Sequence, residues 1–176
     1  PALNIVGEKE TGTIEQMNVS LVRPWTLILS KLIPYWTLGL FVLMLAMGLA
    51  ATLFGLTPAG GIGNILAFTL LYLLVMSGLG ICVSNIAGTM QQAMFVMYFF
   101  MMLFFLMSGL FTPITSMPQW AQMLTYLNPL RYFVQAMRSI YLKGSGLMDL
   151  LPQLGALVAY ALASCSLALL SYRKRS

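Results

Sequence analysis

The sequence predicts an all-α fold that crosses a membrane several times, and three observations carry that prediction. Residues 32–130 contain no Asp, Glu, Lys or Arg, whereas a water-soluble surface is filled with such side chains. Hydrophobic residues make up 60% of the chain and charged ones 7%, where a soluble domain carries about a quarter charged residues. The apolar runs approach or exceed the roughly 20 residues that take an α-helix across a bilayer, and short Gly/Pro/Ser/Asn clusters separate them.

Residues 1–31 form the polar, cytoplasmic end. Thr13-Ile14-Glu15-Gln16 fits a capping box, with Thr13 as N-cap and Gln16 reaching back from the third helical position. A short helix from Ile14 to Val19 follows, with Glu15 on its positive end. Pro24 suits the first turn of a second helix, which runs through Trp25, Leu27, Ile28, Lys31 and Leu32 to a bend at Pro34. Trp25, Tyr35 and Trp36 mark a water–lipid boundary, where amphipathic rings settle.

Residues 32–176 form the transmembrane domain. Four spans are expected, over 35–54, 65–86, 93–111 and 150–172. The first two are joined by the Gly/Pro-rich turn 55–63. The next join is a polar hinge, Ala87-Gly88-Thr89 with Gln91 and Gln92. Between the third and fourth spans an external hairpin of two short helices occupies about 113–144. Its first helix starts near Ser116-Met117-Pro118 and runs to about Leu127. Asn128 caps the second, Pro129 takes its first position and Gly144 ends it. Arg131, Gln135 and Arg138 make one polar stripe on that second helix. Neither helix is long enough to span, so the pair lies on the membrane or dips into it.

Charge sets the orientation. Lys9, Arg23, Lys31, Arg173, Lys174 and Arg175 fall on one side of four crossings, and Arg131, Arg138 and Lys143 on the other. Six against three places both ends in the cytoplasm. The net charge of +5 sits at the ends of apolar runs, which reads as membrane orientation and not as nucleic-acid binding.

Composition excludes much chemistry. There is no histidine, hence no imidazole base, metal ligand or pH switch. Cys82 and Cys165 lie in apolar runs and read as small hydrophobes, not as a disulfide or metal pair. The first three spans hold no ionisable group for ion coupling, and no nucleophile–base pair can be assembled there. No phosphate-binding Gly-x-x-x-x-Gly-Lys-Ser/Thr loop is present, so any ATP hydrolysis belongs to another chain or domain and this chain is not expected to be an enzyme; if it transports, energy arrives from outside the membrane. The chain starts at Pro1 without a visible signal peptide and reads as part of a longer protein.

Small residues four apart, Ala46/Ala50 and Ala51/Gly55, together with Gly78 beside Leu79-Gly80, fit close helix packing. The third span is rich in Met and aromatics. Lipid-facing filler is one reading of it, and an adaptable wall for apolar substrates, with Met97, Tyr98, Met101 and Phe105 as candidates, is the other.

Two stretches resemble the permease subunits of type-two ATP-binding-cassette exporters. EKETGTIEQM with LVRPWTLILSKLIPY, residues 8–17 and 21–35, is similar to that family's acidic Gly-Thr-x-Glu-Gln segment. SGLFTPITSMPQWAQMLTYLNPLRYFVQAMRSIYLKG, residues 108–144, resembles its external hairpin before the last span. The resemblance implies that the chain holds spans three to six of a six-span permease in a bacterial inner membrane. It implies a coupling helix that seats on a nucleotide-binding ATPase subunit, with Glu8, Glu10, Gly12, Thr13, Glu15 and Gln16 as contacts. ATP-Mg would bind that partner, and the chain itself would carry no cofactor. A second permease copy or a paralogue would complete the pathway for a hydrophobic or amphipathic small molecule. Pro113, Pro118, Trp120, Asn128, Pro129 and Arg131 would shape the hairpin. A non-transporting scaffold or anchor and an ion-coupled secondary drug transporter are the alternatives.

Overall fold

The computed structural model describes residues 2–10 and 24–173, with side chains over 2–7 and 30–168. Every described element is helical: α1 (Ala2–Glu10), α2 (Pro24–Phe54), α3 (Ile62–Ile86), α4 (Met90–Leu106), α5 (Gln119–Thr125), α6 (Pro129–Lys143) and α7 (Leu151–Arg173). Single 3₁₀ turns precede α5 and α7. The expected all-α membrane fold is observed. Three helical segments, Ser30–Phe54, Ile62–Ile86 and Met148–Ala168, are long and apolar enough to cross a bilayer, and α4 is a shorter apolar helix.

Three boundaries differ from the sequence-based expectation. The segment 2–10, read as polar loop, is helix α1, whose Ala2 and Val6 are buried and pack with Ala87 and Ala93. Pro34 does not divide α2, which continues through it. Thr37 Oγ1 donates to the Pro34 and Ile33 carbonyls, at 2.8 and 3.1 Å, and in an apolar setting an unbroken helix leaves the fewest backbone groups unpaired. The span expected over 93–111 is Met90–Leu106. It starts early because Thr89 accepts the Gln92 N–H at 3.2 Å while Gln92 Oε1 accepts the Gly88 N–H at 3.0 Å, a variant of the capping box. It ends early because Ser108 Oγ donates to the Phe105 carbonyl at 2.7 Å and Gly109 turns left-handed, φ +79°.

The core sits between α3, α6 and α7, where Ile65, Phe68, Ala136, Ile140, Leu150 and Leu157 are buried together. Gly78 of α3 lies against Ser164 of α7 so closely that a Cβ there would stand 2.6 Å from Ser164 Oγ. On the other side, α2 leans on α3 through Gly39 against Leu73, and Trp36 Nε1 donates to Ser77 Oγ at 2.8 Å. Of the small-residue pairs read for close packing, Ala50 and Ala51 are half-buried. Ala46 is exposed, and Gly55 instead ends α2 with φ +62°. Cys82 and Cys165 are free thiols, both half-buried.

The turn 55–61 is fastened to the end of α6. Ala59 and Gly60 N–H groups donate to the Tyr141 and Ile140 carbonyls at 3.3 and 3.0 Å. Gly144, at φ +64°, closes the helix with its backbone against the Ala59 carbonyl. A Cβ there would be strained by φ and would meet that oxygen at 3.2 Å. Gly144→Ala is therefore expected to lower stability by about 1–2 kcal/mol, read as an earlier melting transition of the detergent-solubilised protein. An unchanged transition would mean that this junction contributes nothing.

Candidate functional site

Two features stand out once the helices are in place: a groove at the α1 end of the bundle and a hairpin that descends into it from the opposite end.

The groove has a volume of about 720 Å³ and runs between α3 and α4, with Leu3 of α1 at one edge. Its walls are Met76, Leu79, Cys82, Val83 and Ile86 from α3 and Gln91, Met94, Phe95, Met97, Tyr98, Phe100, Met101 and Phe104 from α4. Polar groups are confined to the Gln91 amide, the Tyr98 hydroxyl and the Cys82 thiol. Unbranched methionines beside aromatic faces make a wall that repacks around different apolar shapes. Of the candidate lining residues, Met97, Tyr98 and Met101 face this groove, and Phe105 is not part of its wall.

Helix α4 is too short to reach the other end. From Met90 to Phe104 it rises about 21 Å, and the same distance back along α3 from Ile86 ends at Tyr72. That level lies about 15 Å inside the start of α3 at Ile62. The hairpin fills the gap. Phe133 of α6 stacks on Tyr72 with ring centroids 4.5 Å apart, and from Phe133 to Lys143 α6 climbs about 15 Å towards its junction with Ala59 and Gly60. The hairpin therefore dips into the membrane half of the bundle rather than lying across its surface. Irregular backbone at such depth needs every polar group met by protein.

Asn128 meets that need at the lowest point. Its Oδ1 accepts the Leu130 N–H at 3.0 Å, capping α6 as expected, and its Nδ2 donates to the Phe104 carbonyl at 2.8 Å. Pro129 takes the first helical position and is buried. Arg138 Nη2 donates to the Gly109 carbonyl at 3.2 Å. Pro113 and Pro118 precede the 3₁₀ turn and α5, and their carbonyls accept the Ser116 and Gln122 N–H groups at 3.0 Å each. Trp120 is exposed on α5.

Arg131 lies one turn above Asn128. Its Nη1 donates to Thr125 Oγ1, and its guanidinium carbon sits 4.1 Å from the centroid of the Tyr126 ring and 6.0 Å from that of Tyr132. Nε is buried and meets no acceptor. An arginine at mid-membrane costs about 2.5–3.5 kcal/mol, and a ring contact offsets about 1 kcal/mol of that.

Glu8 and Glu10 fall on the last turns of α1, their side chains outside the described set, and Gly12, Thr13, Glu15 and Gln16 with the expected helix 14–19 lie outside the described residues. What the structure adds is the seat of α1. Gly7 lies against Met90, where a Cβ would stand 2.7 Å from its Cε, and Val6 packs on Ala87 and Ala93 at the α3–α4 turn. Sequence reasoning missed α1 because its inward side is marked only by Ala2, Val6, the small Gly7 and a half-buried Ile5, which packs on Leu32, Ile81 and Ala168, too few to make a helical stripe.

Apolar spans around a lateral groove, with a hairpin at one end, define a polytopic integral membrane protein. The chain belongs to the ABC-2 type transporter family, which it matches over residues 2–142. It is similar to a protein named probable multidrug ABC transporter permease YbhR from Escherichia coli (strain K12), 29% identical over 174 residues, covering 99% of this chain and 47% of that one. The probable multidrug ABC transporter permease YbhS of the same strain is 29% identical over 175 residues, 99% of this chain and 46% of the relative. Its inner membrane transport permease YhhJ is 30% identical over 175 residues, 97% of this chain and 46% of the relative. The chain thus spans about half the length of the curated relatives it matches. No solved structure matches it significantly.

Proposed function

We propose that this chain is the pathway-forming permease part of an ATP-driven exporter of hydrophobic or amphipathic small molecules. The observation that carries this reading is the placement of α1. Its polar end leads straight into the acidic segment Glu8–Gln16, while its apolar side rests on the α3–α4 turn at the base of the Met- and Phe-lined groove. A push on the segment reaches the groove through that contact. Multidrug names among the relatives and the predominantly apolar groove wall support the substrate class.

In this reading Glu8, Glu10, Gly12, Thr13, Glu15 and Gln16 face a nucleotide-binding ATPase subunit that holds ATP-Mg. The α1 end is cytoplasmic and the hairpin end external, in a bacterial inner membrane. A second copy or a paralogue closes the open side of α4, where Phe95, Tyr98, Phe99 and Met102 are exposed.

The test is ATP turnover by the nucleotide-binding partner reconstituted with full-length permease, wild type against Glu15→Ala/Gln16→Ala. The variant is expected to insert normally and to lose at least about tenfold of permease-dependent turnover, the loss that follows when about 1.4 kcal/mol of coupling is removed. Unchanged turnover with a normally inserted variant would leave the chain as a membrane anchor and not a driven pathway.

A further inference from the structure

We propose that Arg131 is an intramembrane recognition site for the oxyanion, phosphate or carboxylate, of an amphiphile that reaches it from within the bilayer. The site stands on the depth of the hairpin and does not depend on ATP-driven transport. Three observations carry it. First, Arg131 is held well below the end of the bundle, one turn above the Asn128–Phe104 contact and next to the Tyr72–Phe133 stack. A guanidinium cation at that level is costly unless something compensates its charge.

Second, its described partners are all neutral. Nη1 is held by Thr125 Oγ1, itself fully buried and donating to the Gln122 carbonyl at 2.7 Å, and the guanidinium faces the Tyr126 ring. Asp149 is the only acid whose side chain is described, and it accepts the Gly146 N–H at 3.0 Å. Ring and hydroxyl partners disperse the charge and cancel none of it. Nε remains buried without an acceptor.

Third, the holder is built. Tyr132 and Tyr160 hydroxyls both donate to the Tyr126 carbonyl, at 3.2 and 2.5 Å, so helices α6 and α7 together fix the segment that carries the facing ring. Arg131 is half-buried, and along and just after α5, the element that also carries its partner Thr125, Trp120, Met123 and Leu127 expose apolar surface for an acyl chain. A planar, half-buried guanidinium whose described partners are all neutral, near exposed apolar side chains, matches an oxyanion carried on a hydrocarbon tail.

The test uses the full-length permease in neutral detergent, titrated with dodecyl phosphate and read by native mass spectrometry. Binding is expected to weaken about tenfold in Arg131→Gln, which keeps a polar side chain without the charge, and less in Arg131→Lys. Arg138→Gln, which alters an exposed arginine bonded to Gly109, is expected to bind as wild type. Phosphatidylglycerol in a second arm assigns the source. Displacement of dodecyl phosphate marks a resident lipid headgroup, and retention alongside the lipid marks a free anionic amphiphile as the occupant. Equal binding by wild type and a folded Arg131→Gln, or equal uptake of dodecanol and dodecyl phosphate, would overturn the assignment.

Discussion

Leucine at position 78 is expected to destabilise the protein by about 3 kcal/mol, the upper end of what overpacking a close contact costs. A Cβ on Gly78 would lie 2.6 Å from Ser164 Oγ, 2.8 Å from its Cβ and 3.1 Å from its carbonyl carbon. The first atom can rotate away, but the last belongs to the α7 backbone, so the two helices must separate. The contact holds more than one residue in place. Four residues along, Cys82 Sγ donates to the Ser164 carbonyl at 3.9 Å, and on the hairpin side Leu157 joins Ile65 and Phe68 in the core. Alanine is the weaker probe, because its helix propensity gain of about 1 kcal/mol offsets part of the clash. Melting of the solubilised full-length protein checks the prediction. Ser164→Gly in the same chain removes two of the three clashing atoms and is expected to recover about half of the loss. Gly48→Leu, where nothing lies within 4 Å of an added Cβ, is expected to melt no lower than wild type, because the propensity gain meets no clash. A Gly78→Leu protein that melts normally would mean that α3 and α7 do not pack this closely.

The parts of this architecture that the sequence announces are those governed by local chemistry. Lipid solvent forbids charge, so the bodies of α2 and α3 are visible as charge-free runs. Asn128-Pro129 and Gly144 delimit α6 within one residue because a cap needs an acceptor side chain and a left-handed end needs glycine. What stays hidden depends on partners far along the chain. Helix α1 carries Glu8, Lys9 and Glu10 and hides only two apolar side chains, so no amphipathic pattern declares it. Ser108-Gly109 stops α4 inside an apolar stretch that composition alone runs on to Phe111. The depth of the hairpin is invisible until Phe133 meets Tyr72. That depth changes the reading of Arg131. In the sequence it is a charge beyond the spans, and in the fold it is a cation within them. Charge counting along the chain assigns every residue between spans to water, and a re-entrant segment breaks that assumption.

Asn128 is where the consequences of that depth concentrate, and its replacement is expected to cost as much as any single change in the hairpin. The amide orientation is fixed by its neighbours, since the Leu130 N–H can only donate and the Phe104 carbonyl can only accept. Each half can therefore be removed separately. Asn128→Asp keeps the capping oxygen and replaces the donor with a second acceptor facing the Phe104 carbonyl. It is expected to lose about 1–3 kcal/mol from the unmet acceptors. Asn128→Ala removes the cap as well, adding about 1 kcal/mol. Asn128 is 3% exposed, so water cannot take over either bond. Stability is only part of the effect. The side chain is the pin between the end of α4, which walls the groove, and the start of α6, which is fastened at its other end to Ala59 and Gly60. Without it α4 and the hairpin no longer move as one body. Proteolysis between Met107 and Leu127 is accordingly expected to quicken in both variants, and substrate-stimulated turnover to fall further than stability alone predicts. A control with equal stability loss, Gly144→Ala, should leave the α4–α6 contact intact and the cleavage rate near wild type. If Asn128→Asp melts and cleaves like wild type, the Phe104 contact contributes nothing and α4 ends independently of the hairpin.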